Sequence, residues 1–225
     1  MGNKGDLNMY HYVEDKEFIC KMRILGGNIM QELCHCLKAD YCISANFFLV
    51  GSGKRNLIMQ NGNGKVDLDY NLEIIKSSDW NERALKTTII KAFNTVLRNR
   101  DLDDCKDSKS VMTTGGIRFV NYYDTDFYLD ICIVTKDERG KYRRLIHEKT
   151  GFLYYDKYYW NEAPFSGDYK KRVDYIKKNG KWDLLREQYK RIKNKYLCQN
   201  DYNHPSFVCY LEAVNNVYSS LLKNK

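Results

Sequence analysis

Apolar residues recur along the chain with two different periods, one that predicts helices and one that predicts strands. Over residues 15–38 and 77–100 the apolar positions repeat every three or four residues, as in helices that bury one face. Shorter apolar or alternating runs predict strands. The predicted helices cover roughly residues 15–38, 77–100, 167–178, 181–197 and 204–222, and the predicted strands cover roughly residues 46–50, 65–75, 115–123 and 126–134.

The order of these elements predicts the fold class. Strands and helices do not alternate regularly, so a doubly wound parallel sheet is not expected. The order instead predicts an α+β fold, with a small mixed β-sheet flanked by helices and a C-terminal helical tail. Within the first helix, Gly26 and Gly27 are expected to weaken or bend the helix.

Composition narrows the class of protein. The chain has 225 residues, of which 43% are hydrophobic and 29% charged, as in a globular protein with a buried core. No apolar run reaches the roughly 18 residues that a membrane span needs. The N-terminal segment "MGNKGDLNMYHYVEDKEF" has no apolar signal-peptide core. We therefore expect a cytoplasmic protein with no membrane partner.

Positive charge is concentrated in the predicted helical tail. The net charge is +8, and residues 167–200 contain 11 Lys or Arg residues against 4 acidic ones, with tyrosines interleaved. Two interpretations remain open for this segment. It is either a surface that contacts RNA, DNA or a nucleotide triphosphate, or a solvated lysine-rich helix face.

The segment "FFLVGSGKRNLIMQNGNGKVDLDYNLEII" (residues 47–75) contains a Gly-Lys pair that resembles a phosphate-binding P-loop. That motif requires a glycine five residues before its Gly-Lys pair and Ser or Thr after the lysine. In this chain Phe48 occupies the first position, and Arg55 follows Lys54. The P-loop interpretation therefore fails at two positions.

The second half of this segment carries two carboxylates. The predicted strand alternates so that Asp67 and Asp69 lie on the same face. Aspartate is depleted from strands, and like charges that are close together on one face repel each other. A bound cation would relieve this repulsion, and Mg²⁺ prefers carboxylate oxygens.

A third carboxylate, Asp130, interrupts the apolar run "FYLDICIV". Burying a charge is costly unless it is paired or ligates a metal. If this strand lies beside residues 65–75, Asp130 joins Asp67 and Asp69, and the three can hold Mg²⁺ or Mn²⁺ ions. Gly51 and Ser52 then end a strand where backbone can approach a phosphate closely, while Lys54 and Arg55 add positive charge.

This ordered set resembles the DNA polymerase β-like nucleotidyltransferase superfamily. The family's Gly-Ser signature looks like Gly51-Ser52, its Asp-x-Asp pair like Asp67 and Asp69, and its third carboxylate like Asp130. The helix before the Gly-Ser strand and the helical tail are similar to the group of oligoadenylate synthetases, cyclic GMP–AMP synthases and bacterial cyclic-oligonucleotide synthases. The resemblance implies a nucleotidyltransferase catalytic core in residues 1–165 and a helical C-terminal subdomain in residues 166–225.

The expected function is nucleotidyl transfer by an Mg-dependent enzyme. It would move a nucleoside monophosphate from an NTP, such as ATP, to a hydroxyl and release pyrophosphate by a two-metal mechanism. Two alternatives remain open: a catalytically weak module that binds nucleotide or nucleic acid through residues 167–200, and the nucleotidyltransferase partner of a toxin–antitoxin pair, with a helical protein as partner. Three further features have open roles: the Gly115-Gly116 turn, the aromatic segment 151–164, and His147.

Overall fold

A computed structural model describes residues 9–77, 81–120, 125–163, 167–201 and 205–223. The helices within these ranges are α1 (Lys16–Tyr41), α2 (Gly51–Arg55), α3 (Glu82–Arg98), α4 (Gly167–Lys178), α5 (Trp182–Cys198) and α6 (Ser206–Lys223). The strands are β1 (Tyr10–Tyr12), β2 (Ser44–Leu49), β3 (Met59–Asn61), β4 (Val66–Lys76), β5 (Lys106–Asp107), β6 (Met112–Thr113), β7 (Phe127–Lys136), β8 (Tyr142–Glu148) and β9 (Lys157–Glu162).

Helix α1 begins where its sequence predicts. The Asp15 side chain accepts a hydrogen bond of 2.9 Å from the backbone N–H of Phe18 and satisfies one of the free donors of the first turn. The expected weakening at Gly26 and Gly27 does not interrupt the helix. A Cβ atom at Gly26 would lie 2.9 Å from the hydroxyl of Tyr70 in β4. This glycine therefore lets the helix pack close to the sheet.

The main sheet is mixed, which confirms the predicted fold class. Its strand order is β2-β4-β7-β6-β5, and β8 pairs with both β7 and β9. β4 and β7 are parallel, whereas the other pairs in this sheet are antiparallel. A parallel pair needs a crossover connection, and α3 lies within the segment that joins these two strands. Its N-cap is Asn81, whose side chain accepts from the backbone N–H of Ala84.

The core lies on one face of β4 and β7. Val66, Leu68 and Leu72 of β4 are fully buried together with Phe127 and Leu129 of β7. These side chains pack with the apolar faces of α1 and α3. The polar residues at the alternate positions of β4 consequently project from the opposite face of the sheet.

The predicted strand at 115–123 is wrong over the residues that the structure describes. Only Met112–Thr113 forms a strand there, and Ile117 makes a single bridge to Phe127. Between these two points the backbone N–H of Leu129 donates to the side-chain hydroxyl of Thr114. Residues 121–124, which belong to the same prediction, lie outside the described residues.

Backbone packing divides the chain into two compact units. One consists of Val13–Ile58 and Gly64–Ala163 and contains the main sheet. The other consists of Met1–Tyr12, Met59–Asn63 and Pro164–Lys225; within it β1 pairs with β3, and α4, α5 and α6 pack together. The domain boundary between residues 165 and 166 stays a prediction. No helix in the described residues is long and apolar enough to cross a membrane.

Candidate active site

Two of the three predicted carboxylates lie side by side in the sheet. In the parallel pairing of β4 and β7, Asp69 is the register partner of Asp130, and Asp67 is the partner of Tyr128. All three carboxylates are partly buried and lie on the sheet face opposite the core. The adjacency that the sequence analysis required for Asp130 is therefore present.

The Gly-Ser signature forms a short helical turn that begins beside Asp69. The backbone N–H of Val50 donates to the carbonyl of Asp69 at 2.8 Å, which ties the end of β2 to β4. Gly51 follows with φ of +58°, a conformation that glycine adopts readily and other residues rarely. A Cβ atom at Gly51 would lie 2.8 Å from Asp69 Cγ, so only glycine leaves room for this carboxylate.

Two arginines hold the α2 turn in place. Arg55 Nη1 donates to the carbonyl of Gly51 at 2.9 Å. From α1, Arg23 Nη2 donates to the carbonyl of Gly53 and to Asn56 Oδ1. The guanidinium of Arg55 thus closes the turn, whereas Lys54 is exposed beside it. Sequence analysis did not identify Arg23, because nothing in the α1 pattern indicates that this position faces α2.

Lys65 is a second cation that the sequence analysis missed. Its Nζ atom lies 3.6 Å from Asp67 Oδ1 and 4.7 Å from the centre of the Tyr128 ring. The signal for it was available, because residues 65, 67 and 69 share one face of an alternating strand. Lys65 therefore places positive charge beside Asp67, at the edge of the set of three aspartates.

Thr113 completes the row across the sheet. It is the antiparallel register partner of Asp130, and its hydroxyl donates to Asp130 Oδ1 at 2.6 Å. The row perpendicular to the strands therefore runs Asp69, Asp130, Thr113. The sequence pattern predicted the next strand at 115–123, so Thr113 was not among the predicted site residues.

The donor set suits a hard divalent cation, since carboxylate oxygens are the ligands that Mg²⁺ and Mn²⁺ prefer. Two register-paired aspartates with a third on the same face also carry like charges that a cation would offset. Within the described ranges, however, no three His, Cys, Asp or Glu side chains are grouped as a ready metal-binding cluster. The ligand set Asp67, Asp69 and Asp130 therefore stays a prediction.

The overall architecture is similar to that of solved structures. No protein-family model matches the chain, and no curated protein matches it. Among solved structures, Vibrio cholerae DncV cyclic AMP-GMP synthase in complex with the linear intermediate 5' pppA(3',5')pG has a TM-score of 0.60 at 9% identity, covering 91% of this chain and 68% of that one. The chain has the nucleotidyltransferase fold.

A second solved structure has a similar fold. E. coli MS115-1 CdnC, solved in complex with HORMA-deltaN, has a TM-score of 0.57 at 16% identity and covers 97% of this chain. This chain spans 61% of the length of CdnC. These neighbours share the fold that the motifs implied, so the resemblance is confirmed as far as the fold is concerned. At such low identities the likeness concerns the nucleotidyltransferase fold.

In the helical unit, aromatic rings hold many of the clustered cations. Arg172 lies over the rings of Tyr169 and Tyr218, and Lys193 lies 3.8 Å from the ring centre of Tyr10. Similar contacts join Arg186 to Tyr12 and Lys177 to Trp182. The interleaved aromatics therefore fix cations by cation–π attraction. The exposed lysines of this stretch include Lys170, Lys171, Lys178 and Lys181.

The structure also separates the aromatic segment 151–164 into two groups. Phe152, Tyr154 and Tyr155 are 71%, 85% and 66% exposed, so these three rings are not part of a packed core. Tyr158 instead stacks on the His147 ring with a centroid distance of 4.2 Å. His147 is buried between two aspartates, Asp107 and Asp156. It is not part of the row Asp69, Asp130, Thr113.

Proposed function

We propose that this protein is a nucleotidyltransferase that moves a nucleoside monophosphate from an NTP to a hydroxyl acceptor. The acceptor oxygen bonds to the α-phosphorus, the bond from that phosphorus to the bridging oxygen breaks, and pyrophosphate leaves as the hydroxyl loses its proton. The observation that carries the proposal is the side-by-side placement of Asp69 and Asp130, with Asp67 on the same face and the Gly51-Ser52 turn adjoining Asp69.

In this proposal Asp67, Asp69 and Asp130 hold Mg²⁺ or Mn²⁺. When bound, such ions supply charge neutralisation at the attacking and leaving oxygens. The chain itself orients the reactants: the Gly51 backbone admits a close approach, and Ser52 donates to the triphosphate. Lys54 and Lys65 attract its negative charge. Arg55 and Arg23 act indirectly by holding the turn that carries Ser52.

The neighbours support the substrate class. V. cholerae DncV is solved with GTP and with a linear dinucleotide intermediate, and CdnC is solved with ATP. We infer that NTPs serve this chain as donors and that a second nucleotide is the acceptor, giving a linear or cyclic oligonucleotide. CdnC is also solved with a HORMA protein, and a protein partner for this chain is proposed on the same basis.

The test is incubation with all four NTPs and Mg²⁺ or Mn²⁺, with products resolved by mass. The isosteric variants Asp69→Asn and Asp130→Asn remove charge with little change in shape, and we expect each to lower turnover at least about 100-fold, as when a group that stabilises transition-state charge is removed. Glu138→Gln, an exposed residue of the β7–β8 turn, is the matched control. Equal turnover in all three variants and the wild type would exclude the carboxylate site.

A second candidate function is binding of single-stranded RNA or DNA without turnover. The exposed lysines Lys170, Lys171, Lys178 and Lys181 favour it, because phosphate neutralisation by lysines dominates such binding. Steep salt dependence of oligonucleotide binding, lost in the combined Lys178→Gln and Lys181→Gln variant and accompanied by no pyrophosphate release, would support this function over the first.

A further inference from the structure

The residue beside Asp130 on the side away from Asp69 belongs to a very short hairpin. β5 and β6 contain two residues each, and two-stranded hairpins of this size are not stable by themselves. Yet Thr113 of this hairpin directs its hydroxyl at Asp130 Oδ1, 2.6 Å away. The position of the Asp130 carboxylate therefore depends on what holds the hairpin against the rest of the unit.

One end of the hairpin is tied to β7. The backbone N–H of Thr114 donates to the carbonyl of Leu129 at 3.1 Å, and the N–H of Leu129 donates to Thr114 Oγ1 at 3.0 Å. Thr114 is 1% exposed. These two bonds continue the β6–β7 pairing by one residue beyond Thr113.

The other end is held by a buried ion pair. The Lys86 side chain projects from α3 and is 2% exposed, and its Nζ atom lies 2.8 Å from Asp107 Oδ1 in β5. Asp107 Oδ2 lies 2.6 Å from His147 Nδ1 of β8. A lysine buried to this degree is costly unless it is paired and hydrogen-bonded, so the pairing strongly favours the observed position of β5.

The ion pair extends into a network of four ionisable side chains. His147 Nε2 lies 2.9 Å from Asp156 Oδ2, so both ring nitrogens face carboxylate oxygens. The two aspartates therefore contact the imidazole ring from opposite sides. These contacts join Lys86 of α3, Asp107 of β5, His147 of β8 and Asp156.

Backbone contacts from the same residues hold the turn of the hairpin. Lys86 Nζ donates to the carbonyl of Ser108 at 3.3 Å, and the N–H of His147 donates to the carbonyl of Lys109 at 2.7 Å. Lys149 Nζ adds a bond of 2.7 Å to the carbonyl of Asp107. The hairpin is thus fixed at its turn by α3 and β8 and at its open end by β7.

We propose that Thr113 is a positioning residue for Asp130 and that the buried Lys86–Asp107–His147–Asp156 network, together with Lys149 on the Asp107 carbonyl, holds the hairpin that presents it. This inference rests on the proposed nucleotidyl transfer, in which Asp130 is a ligand to the divalent cation. The Thr113 hydroxyl occupies Oδ1 and so limits how the Asp130 carboxylate rotates. Loss of the hydroxyl leaves the carboxylate free to turn away from Asp69.

The first test replaces the hydroxyl without changing the shape of the side chain. We expect Thr113→Val to weaken Mn²⁺ binding, followed by electron paramagnetic resonance without NTP, and to lower turnover, each by about 10- to 100-fold, as is typical for residues that orient metal ligands. Thr113→Ser keeps the hydroxyl and should restore most of both. Thr135→Val is the matched control. Thr135 lies on β7, the strand of Asp130, but its hydroxyl donates to the carbonyl of Ile74 and not to Asp130.

The second test concerns the network and needs no activity. His147→Gln and the milder Lys149→Met should speed hydrogen exchange at the backbone N–H of Ser108 and Thr114, while the N–H groups of β4 keep their protection. Lys149 is exposed, so its variant is expected to fold even if the His147 variant does not. Unchanged exchange at both N–H groups in Lys149→Met and in any folded His147→Gln protein would overturn the role of the network.

The outcomes separate the two proposals. A wild-type protein that neither binds Mn²⁺ nor turns over NTP overturns the proposed function and this inference with it. An active wild type whose Thr113→Val variant behaves like Thr135→Val overturns the inference alone. Equal damage from Thr113→Val and Thr113→Ser also overturns it, because the hydroxyl would then not be the group that matters.

Discussion

The carboxylate of Asp69 occupies the space that a side chain at Gly51 would need. A Cβ atom there would lie 2.8 Å from Asp69 Cγ, and the φ of +58° at Gly51 adds backbone strain for any other residue. We therefore expect Gly51→Ala to lose about 1–2 kcal/mol of unfolding free energy from strain and to displace Asp69 from the carboxylate row. Denaturant unfolding and NTP turnover measure the two effects.

Gly140 provides the control for this prediction. Its φ is +73°, but a Cβ atom there would meet nothing within 4 Å. Gly140→Ala should therefore show a similar loss of stability while turnover stays at the wild-type level. If the two alanine variants have the same turnover, the contact between Gly51 and Asp69 has no catalytic consequence.

Divalent cations should stabilise the protein by binding to Asp67, Asp69 and Asp130. Mg²⁺ at about 100 times its dissociation constant would add about 2.7 kcal/mol to the unfolding free energy, and Asp67→Asn combined with Asp69→Asn should abolish this gain. Thermal unfolding with and without Mg²⁺ measures the difference. A melting temperature that rises equally in wild type and double variant would locate the bound cation elsewhere.

Lys65 is expected to strengthen the binding of NTP at the same site. Its ammonium group is the cation 3.6 Å from Asp67 Oδ1, and it is exposed enough that its effect on stability is small. Lys65→Met should raise the KM for NTP by about 10-fold, the effect of about 1.4 kcal/mol of lost attraction, with little change in kcat. Steady-state kinetics measure KM and kcat separately. A fall in kcat with unchanged KM would contradict an attraction between Lys65 and the triphosphate.

Acid stability should depend on Asp156. A hydrogen bond from the Thr150 backbone N–H, followed by that from His147, lowers the pKa of the Asp156 carboxyl. A carboxyl whose pKa is lower in the folded state stabilises the fold above its unfolded pKa and loses that contribution as the pH falls through the folded pKa. Asp156→Asn should therefore weaken the dependence of unfolding free energy on pH below about 4. Parallel curves for variant and wild type would contradict this.

Cysteine reactivity should follow burial. Burial raises the pKa of the Cys34, Cys105 and Cys132 thiols to about 11, and the thiolate is the reactive form. At pH 8, Cys20, Cys42 and Cys198, which are exposed, should be alkylated at least about 10-fold faster. Mass spectrometry of peptides after a timed iodoacetamide reaction tests the order.

The local sequence pattern predicted where the helices lie. It also predicted that Asp67 and Asp69 lie on the same face of their strand. The helices at 167–178 and 181–197 lie within one residue of their predicted bounds, because an amphipathic period is a property of the segment itself. Asp67 and Asp69 share a face for a similar reason, since side chains alternate along any strand. Residues 51–64 lie between two predicted strands and were assigned to no element, but they contain all of α2 and all of β3.

Sequence by itself therefore determined which residues are carboxylate, glycine and apolar, and on which face of its own element each one lies. Only the tertiary structure decided that Asp69 and Asp130 are register partners, because that pairing joins residues about sixty positions apart through the α3 crossover. The same holds for Lys86, which sits in an ordinary amphipathic helix yet is buried against Asp107. Long-range pairing and burial depend on which surfaces meet, and no local period records that.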